Sequence, residues 1–459
     1  MQKQVQKLKF WAIVIGILFA IYGCNEIPND AKEASESKSG LSFYQNPLDY
    51  LNDIRTDIGL NTLTADSTLE IAAQNHAKYV VANNEISHDE TAGKINFTGI
   101  TPQDRAFAAG FNSSVIENFS YNAEDMKMAI DSLMSAIYHR FGFLDFHIDS
   151  VGIGFADDNK ISSYVFEMGN SNVENFCKKG VNENGFGEFV FGFCKDKKLA
   201  MQKKNFLQAQ DLNFIDYVVY PNNEPALAIF NGEIPDPMPK CKILSTPVSI
   251  EFNKNAGNIE MQDFKIFNQN GDELKNTEII DKNNDINGRF SQFQFAVFSK
   301  EIFDFDSTYK AQFDYTQNGE AKRIEWEFKT QTPKNHYFVV NGGENLALLP
   351  NMTYDIFVRP SDCNDVFKKF KISYSNMQKP EISGLLGNIL RVNLNGAKGA
   401  KAEISLDNGK TLKLFLKEKS PNYSDNRIKL GIFAGISGII LVFMIIKRRK
   451  NAKTMGRSF

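Results

Sequence analysis

The sequence predicts a multidomain α+β protein, and three observations predict it. The 459-residue chain is too long for one ordinary core, so two to four domains are expected. Apolar residues recur at helical spacing in the first third and alternate at strand spacing from Thr246 onward. Uncharged apolar runs stand close to both ends. A hydrophobic content of 42% with 23% charged residues is that of folded, not disordered, chains. Net charge is −3, but three basic residues in the first nine and six in the last thirteen leave residues 10–446 at −12. So acidic a middle argues against nucleic acid as a partner.

Taken in order, residues 1–24 read as a basic n-region, an apolar run from Phe10 to Tyr22, and Gly23-Cys24. That is the shape of a secretory signal. Ile21-Tyr22-Gly23-Cys24 allows three outcomes: lipidation of Cys24, ordinary cleavage, or an uncleaved anchor. Residues 25–40 are small and polar and read as a flexible tether. In residues 41–170, Leu48, Leu51 and Ile54 share one helical stripe, and Leu69, Ala72, Ala73, Ala77 and Val80 another, with Asp66 as its cap. Met126, Ile130, Leu133 and Ile137 form a third, with Glu124 and Asp125 in its first turn. One helix is expected here, carrying His139 at its far end. SVGIGF and SSYVFEMG read as strands.

Residues 171–245 read as a linker region containing a hairpin around Asn184-Gly185. Residues 246–332 alternate as an immunoglobulin-like β-sandwich, and residues 333–420 continue as a second β-domain. Leu430 to Ile446 is seventeen residues without a charge, about 26 Å as a helix, and residues 447–459 are strongly basic. The pairing predicts a C-terminal transmembrane helix with a cytoplasmic tail, placing residues 25–429 outside the cell membrane. Gly431 and Gly435 form a GxxxG, which can pair such helices into a dimer.

Two opening helical stretches are followed by Ser87-His88, then by Arg105, Gly110 and Glu117-Asn118 (with Ile116 where Gly is usual), and by His139-Arg140 ahead of Val151-Gly152-Ile153-Gly154. In this ordered set the chain resembles the CAP superfamily of cysteine-rich secretory, antigen 5 and pathogenesis-related proteins, in its short bacterial branch. The resemblance covers residues 41–170 and implies an α/β/α sandwich on a small, largely antiparallel sheet. It also implies a cleft of two His and two Glu. His88, Glu117 and His139 match three of the four; Asp131 lies on the helix that leads to His139, with nothing to fix it as the fourth.

That trio suits three kinds of chemistry. Two imidazoles and a carboxylate can ligate a divalent metal such as zinc, with no cofactor otherwise required. They can do general acid–base work. They can also form a buried polar network that only holds the fold. Arg105 can pair with Glu117 or another carboxylate and position the loop, or be a surface residue, and Asn118 is a supporting residue beside Glu117. No nucleophile stands in a Gly-x-Ser-x-Gly elbow. His76, in mid-helix, reads as solvated or packed, not as a ligand. Phe97, Phe111, Phe119 and Phe141 read as core or as the wall of an apolar groove.

Of five cysteines, lipidation of Cys24 would leave Cys177, Cys194, Cys241 and Cys363. An exported chain permits disulfides. Cys177 with Cys194 is the first pair expected, which leaves Cys241 with Cys363. Three functional readings follow for this membrane-tethered bacterial envelope protein. The first is a module binding an apolar ligand, peptide or cell-wall component without turnover. The second is a metal-dependent or His/Glu hydrolase of peptide or cell-wall material. The third is an adhesin or scaffold.

Overall fold

The computed structural model describes residues 29–32, 46–230, 232–385 and 387–417. The expected signal, Cys24, the segment 430–446 and the basic tail lie outside the described residues. Among the described residues, no helix is long and apolar enough to cross a membrane.

The N-terminal domain is built as its capping residues dictate. Helix α1 (Pro47–Asp57) starts at Asn46, whose side chain accepts from Leu48 N–H, and α2 (Ser67–Asn83) starts at Asp66, which accepts from Thr68 and Leu69. Helix α3 (Pro102–Ala109) opens with a reciprocal Thr101–Asp104 capping box. Strands β1 (Thr64–Ala65), β2 (Val115–Tyr121), β3 (Ser150–Asp157) and β4 (Ser162–Gly169) pair in the order β1-β3-β4-β2, leaving β2 at an edge. Only the short β1–β3 pair is parallel.

Helix α2 lies directly on β3. A Cβ on Gly152 would stand 2.0 Å from the backbone of Leu69 and Glu70, and one on Gly154 2.3 Å from that of Ala73. The two glycines of the VGIGF strand thus admit the helix backbone. Ala73, Ala77 and Val165 pack on this face with Phe119, while Tyr50, Leu51, Ile130, Leu133, Phe143 and Phe166 fill the other. The result is the expected helix–sheet–helix layering.

One expectation fails in an instructive way. The stripe from Met126 to His139 is two helices, not one. Helix α4 (Met126–Ser135) stops at Ala136, which is extended (φ −86°, ψ 116°), and α5 (Ile137–Phe143) restarts there without a side-chain cap of its own. His139 therefore sits in the first turn of a short helix.

Residues 171–245 are more than a linker. A helix (Ser171–Lys179), a hairpin (Phe189–Phe191 with Ala200–Gln202) and a helix (Lys203–Gln210) enclose Val173, Phe176, Phe193 and Met201 around the Cys177–Cys194 disulfide. Asn184-Gly185 is not the hairpin turn, which spans the residues between 191 and 200. Tyr217–Tyr220 then joins the first β-sandwich, pairing with Val248–Phe252 in a four-stranded sheet that faces a three-stranded one across a single aromatic-rich core. In the second sandwich, sheets of four and five strands enclose Leu346, Ile356, Leu390 and Leu414. Part of the expected tether is a strand there, since Asn29–Asp30 pairs with Leu346–Ala347. The Cys241–Cys363 disulfide links the chain entering the first sandwich to the second.

The N-terminal domain and the β-region share apolar cores. Val218, Tyr220 and Ala226 pack in the cluster of α1 and α4, while Ile137 and Phe141 of α5 pack with Phe230, Met238, Phe290 and Phe298. Arg140 lies fully buried across the junction. Its Nε donates to the Met134 carbonyl, its NH1 donates to Ser249 Oγ at 2.9 Å, and its guanidinium lies 4.6 Å from the Tyr220 ring centre.

Candidate functional site

The site forms at the edge strand. Alternation along β2 turns Glu117 and Phe119 toward α2 and α3, and cross-strand pairing sets Glu117 beside Glu167 of β4. Gly152 is the residue opposite Glu167 on the other side, so no third side chain enters there.

Glu117 is the hub. Its Oε1 meets His88 Nδ1 at 2.7 Å and His76 Nε2 at 3.9 Å, and its Oε2 accepts from Arg105 NH2 at 2.5 Å. Arg105 also donates to the His88 carbonyl at 2.9 Å, tying the loop to the helix, and stands 3.8 Å from both Glu90 and Glu167. Behind them His76 bonds Glu90 at 3.0 Å through Nδ1 and the Ser87 carbonyl at 3.1 Å through Nε2. Three carboxylates thus surround one guanidinium, all of them buried. Burial pushes the Glu117 carboxyl up, but the His88 hydrogen bond and the His76 and Arg105 charges outweigh it and hold it down at about 2. Glu167 goes the other way: burial, then the Glu117 charge and hydrogen bond, raise it well above the carboxylate range.

His139 comes from the opposite side. Its ring stacks on His88 with centroids 5.9 Å apart and planes 21° apart, and its Nδ1 meets Glu233 Oε2 at 3.2 Å. Asn118 Nδ2 donates to the His139 carbonyl at 2.7 Å. The His88 side chain is 39% exposed and that of His139 13%, while Glu117 and Glu233 are buried behind them. Each imidazole is therefore anchored at Nδ1 by a buried carboxylate, and neither Nε2 has a hydrogen-bond partner among the described residues.

The structure brings together His88, Glu117, His139, Arg105 and Asn118. It keeps Asp131 apart, bound by Tyr50, Lys127 and Gln331. Sequence reasoning set His76 aside as a solvated or packed helix residue; it is packed, but inside the cluster. Glu90, Glu167 and Glu233 were missed. Glu167 was legible as the acid in the strand SSYVFEMG. Glu233 carries no sequence signal, because its position follows from how the β-region packs.

A metal fits this set poorly. Among the described residues no group of three or more His, Cys, Asp or Glu is placed to hold an ion. Glu117 is occupied by His88 and Arg105, and Glu233 by His139 and two backbone amides. Of the three chemistries open to the trio, the geometry shows two His–carboxylate pairs.

Residues 48–168 match the family model CAP, the cysteine-rich secretory protein family. This part of the chain is a CAP domain. Solved structures similar to the chain include an outer surface protein from Borrelia burgdorferi, at 18% identity over 30% of this chain and 97% of that one, with a TM-score of 0.24. Another is an extracellular protein containing a SCP domain from Bacillus anthracis str. Ames, at 27% identity over 27% of this chain and 39% of that one, with a TM-score of 0.23. No curated protein matches the chain. The CAP match ends at Met168, so Glu233 comes from outside the domain whose cleft it enters.

Proposed function

We propose that the chain is a membrane-anchored, extracytoplasmic binding module of the bacterial cell envelope, in which the CAP cleft grips the polar head of an amphipathic ligand without turnover. The observation that carries this reading is the pair of stacked imidazoles, each held at Nδ1 by a buried carboxylate so that Nε2 is left for a ligand. Isoleucines flank the site along the chain: Ile86 precedes His88, Ile100 accepts from Glu90 N–H through its carbonyl, and Ile234 follows Glu233. All three are exposed, Ile234 at 82%. They supply an apolar rim for the ligand's body. Against turnover, Ser135, one of the helix serines near His139, spends its hydroxyl proton on the Ser132 carbonyl.

Two disulfides support an oxidising compartment outside the cytoplasm. The apolar runs near both ends and the basic tail support anchoring with residues 25–429 outside.

The test uses the purified ectodomain and a fluorescent long-chain fatty acid. Saturable binding, indifferent to chelator and weakened about tenfold or more in His88→Ala and His139→Ala, supports the module. Stoichiometric zinc uptake, abolished in the same variants, would replace it with the metal-dependent hydrolase. Binding of neither would leave the scaffold reading.

A further inference from the structure

The Glu233 side chain is fully buried although its neighbours Gly232 and Ile234 are exposed. Its Oε1 accepts from Ile137 N–H at 2.7 Å, and its Oε2 accepts from Tyr138 N–H at 3.1 Å and from His139 Nδ1 at 3.2 Å. Helix α5 begins at Ala136, which has no side-chain oxygen to offer. One carboxylate from 94 residues away therefore caps the helix and orients its histidine.

The segment bearing Glu233 is in turn held by the β-region. Asn287 donates to the Asp236 carbonyl at 2.9 Å and to Tyr138 Oη at 3.0 Å, and Tyr138 Oη donates to Asp285 at 2.5 Å. A few residues on, Cys241 is bonded to Cys363 of the second sandwich. Both faces of α5 thus read the position of the β-region: its amides and His139 through Glu233, and Arg140 through Ser249.

We propose that the cleft is a two-domain site, in which Glu233 is a positioning residue supplied by the connection between Tyr217–Tyr220 and Val248–Phe252, two paired strands of the first sandwich. The β-region is then half of the site, not a stalk beneath it. With Glu233 seated, His139 is held as the Nδ1–H tautomer and offers Nε2 to the cleft as an acceptor. With the segment lifted, α5 loses its cap and His139 its orientation. Anything that shifts the two regions against each other alters the ligand-facing nitrogen. The proposal rests on the binding reading above for the ligand, but its geometry stands without one, and the test needs none.

The chain has only five histidines, so selective ring ¹⁵N labelling of the full-length protein reads each of them. At alkaline pH the parent is expected to show His139 as a single Nδ1–H tautomer. Glu233→Gln, whose amide can donate or accept, should turn it into a mixture while His88, held by Glu117, is unchanged. Glu233→Ala should do the same and speed amide exchange at Ile137 and Tyr138 about tenfold or more. Asn287→Ala, which unpins Asp236 without touching Glu233 or His139, should shift the His139 signal in the same direction by less. It also serves if the Glu233 variants fail to fold. Faster exchange at Ile137 and Tyr138 with an unmoved His139 tautomer would reduce Glu233 to a helix cap and overturn the proposal. A His88 change as large as that of His139 would overturn it too.

Discussion

The two histidine–carboxylate pairs of the cleft are chemically alike and are built in opposite ways. His88–Glu117 lies wholly inside the CAP match. Its carboxylate is on an edge strand, and the charge is met by a buried guanidinium that stands near two further acids. His139–Glu233 joins two regions. Its carboxylate arrives on a loop, and besides His139 it is met by two amide dipoles. The first pair is part of a charge balance and the second part of a packing arrangement. Removing a member of the first should leave buried charge uncompensated, whereas removing a member of the second should only loosen a contact between regions.

Arg105→Ala should therefore have the largest effect. It removes the guanidinium that pairs with Glu117 and stands near Glu90 and Glu167, and breaking a buried pair on one side costs about 3–5 kcal/mol. The urea midpoint at pH 7 is expected to fall accordingly. A smaller loss than that of Glu233→Ala would break the comparison at its base.

Arg140→Ala comes next. Burial lowers this guanidinium to about 10, with Tyr220 and Glu233 opposing. Its bonds to Met134 and Ser249 and its stacking on Tyr220 hold α5 to the first sandwich. Losing buried bonds of this charged kind costs about 2–3 kcal/mol. The loss should appear as earlier opening of the junction, with amide exchange rising in Ile137–Phe143 before it rises in β2–β4. Uniform exchange across the CAP domain would show that the junction is not a separate unit.

Glu233→Ala should cost less, about 1–2 kcal/mol, the usual value of a lost helix cap. An effect equal to that of Arg105→Ala would mean that the second pair also carries part of the charge balance.

The same contrast explains what the sequence made legible. His88, Arg105, Glu117 and His139 could be read because they stand in the ordered motifs that resemble the CAP family, and His88, Glu117 and His139 each sit beside a turn or helix-end signal. The glycines of VGIGF were legible for a similar reason, since α2 can approach β3 only where side chains are missing. The break at Ala136 was not. The apolar stripe runs through it with unchanged spacing, and the restart depends on Glu233, which no local pattern links to Ile137. His76 is packed, one of the two readings its mid-helix place allowed; what ties it to the cluster is Glu90, brought back by the loop after α2. The strand at Asn29–Asp30 was hidden for want of length, as two residues in a polar stretch carry no alternation.

The smallest expected effect concerns the acid beside Glu117, and it sharpens the contrast within the first pair. Glu117 is held at about 2 in the folded chain, against roughly 4.3 for an unfolded glutamate. Its stabilisation is present above pH 4.3 and is lost as the pH falls toward 2. Glu167 is raised, first by burial and then by Glu117, so the folded chain keeps a proton that the unfolded chain releases once the pH passes about 4.3. Above that pH the folded state binds more protons, and stability must fall as pH rises toward the folded value. The two neighbours thus limit the protein from opposite sides of the same pH. Glu167→Gln should remove its share of the upper limit and leave the lower: between pH 5 and pH 8 the variant should lose less stability than the parent. Below pH 4 the two curves should run parallel, because Glu117 still sets that limb. Thermal midpoints across a pH series decide it. Equal slopes above pH 5 would mean that Glu167 is already ionised beside Glu117, and that Arg105 holds two charges in place of one.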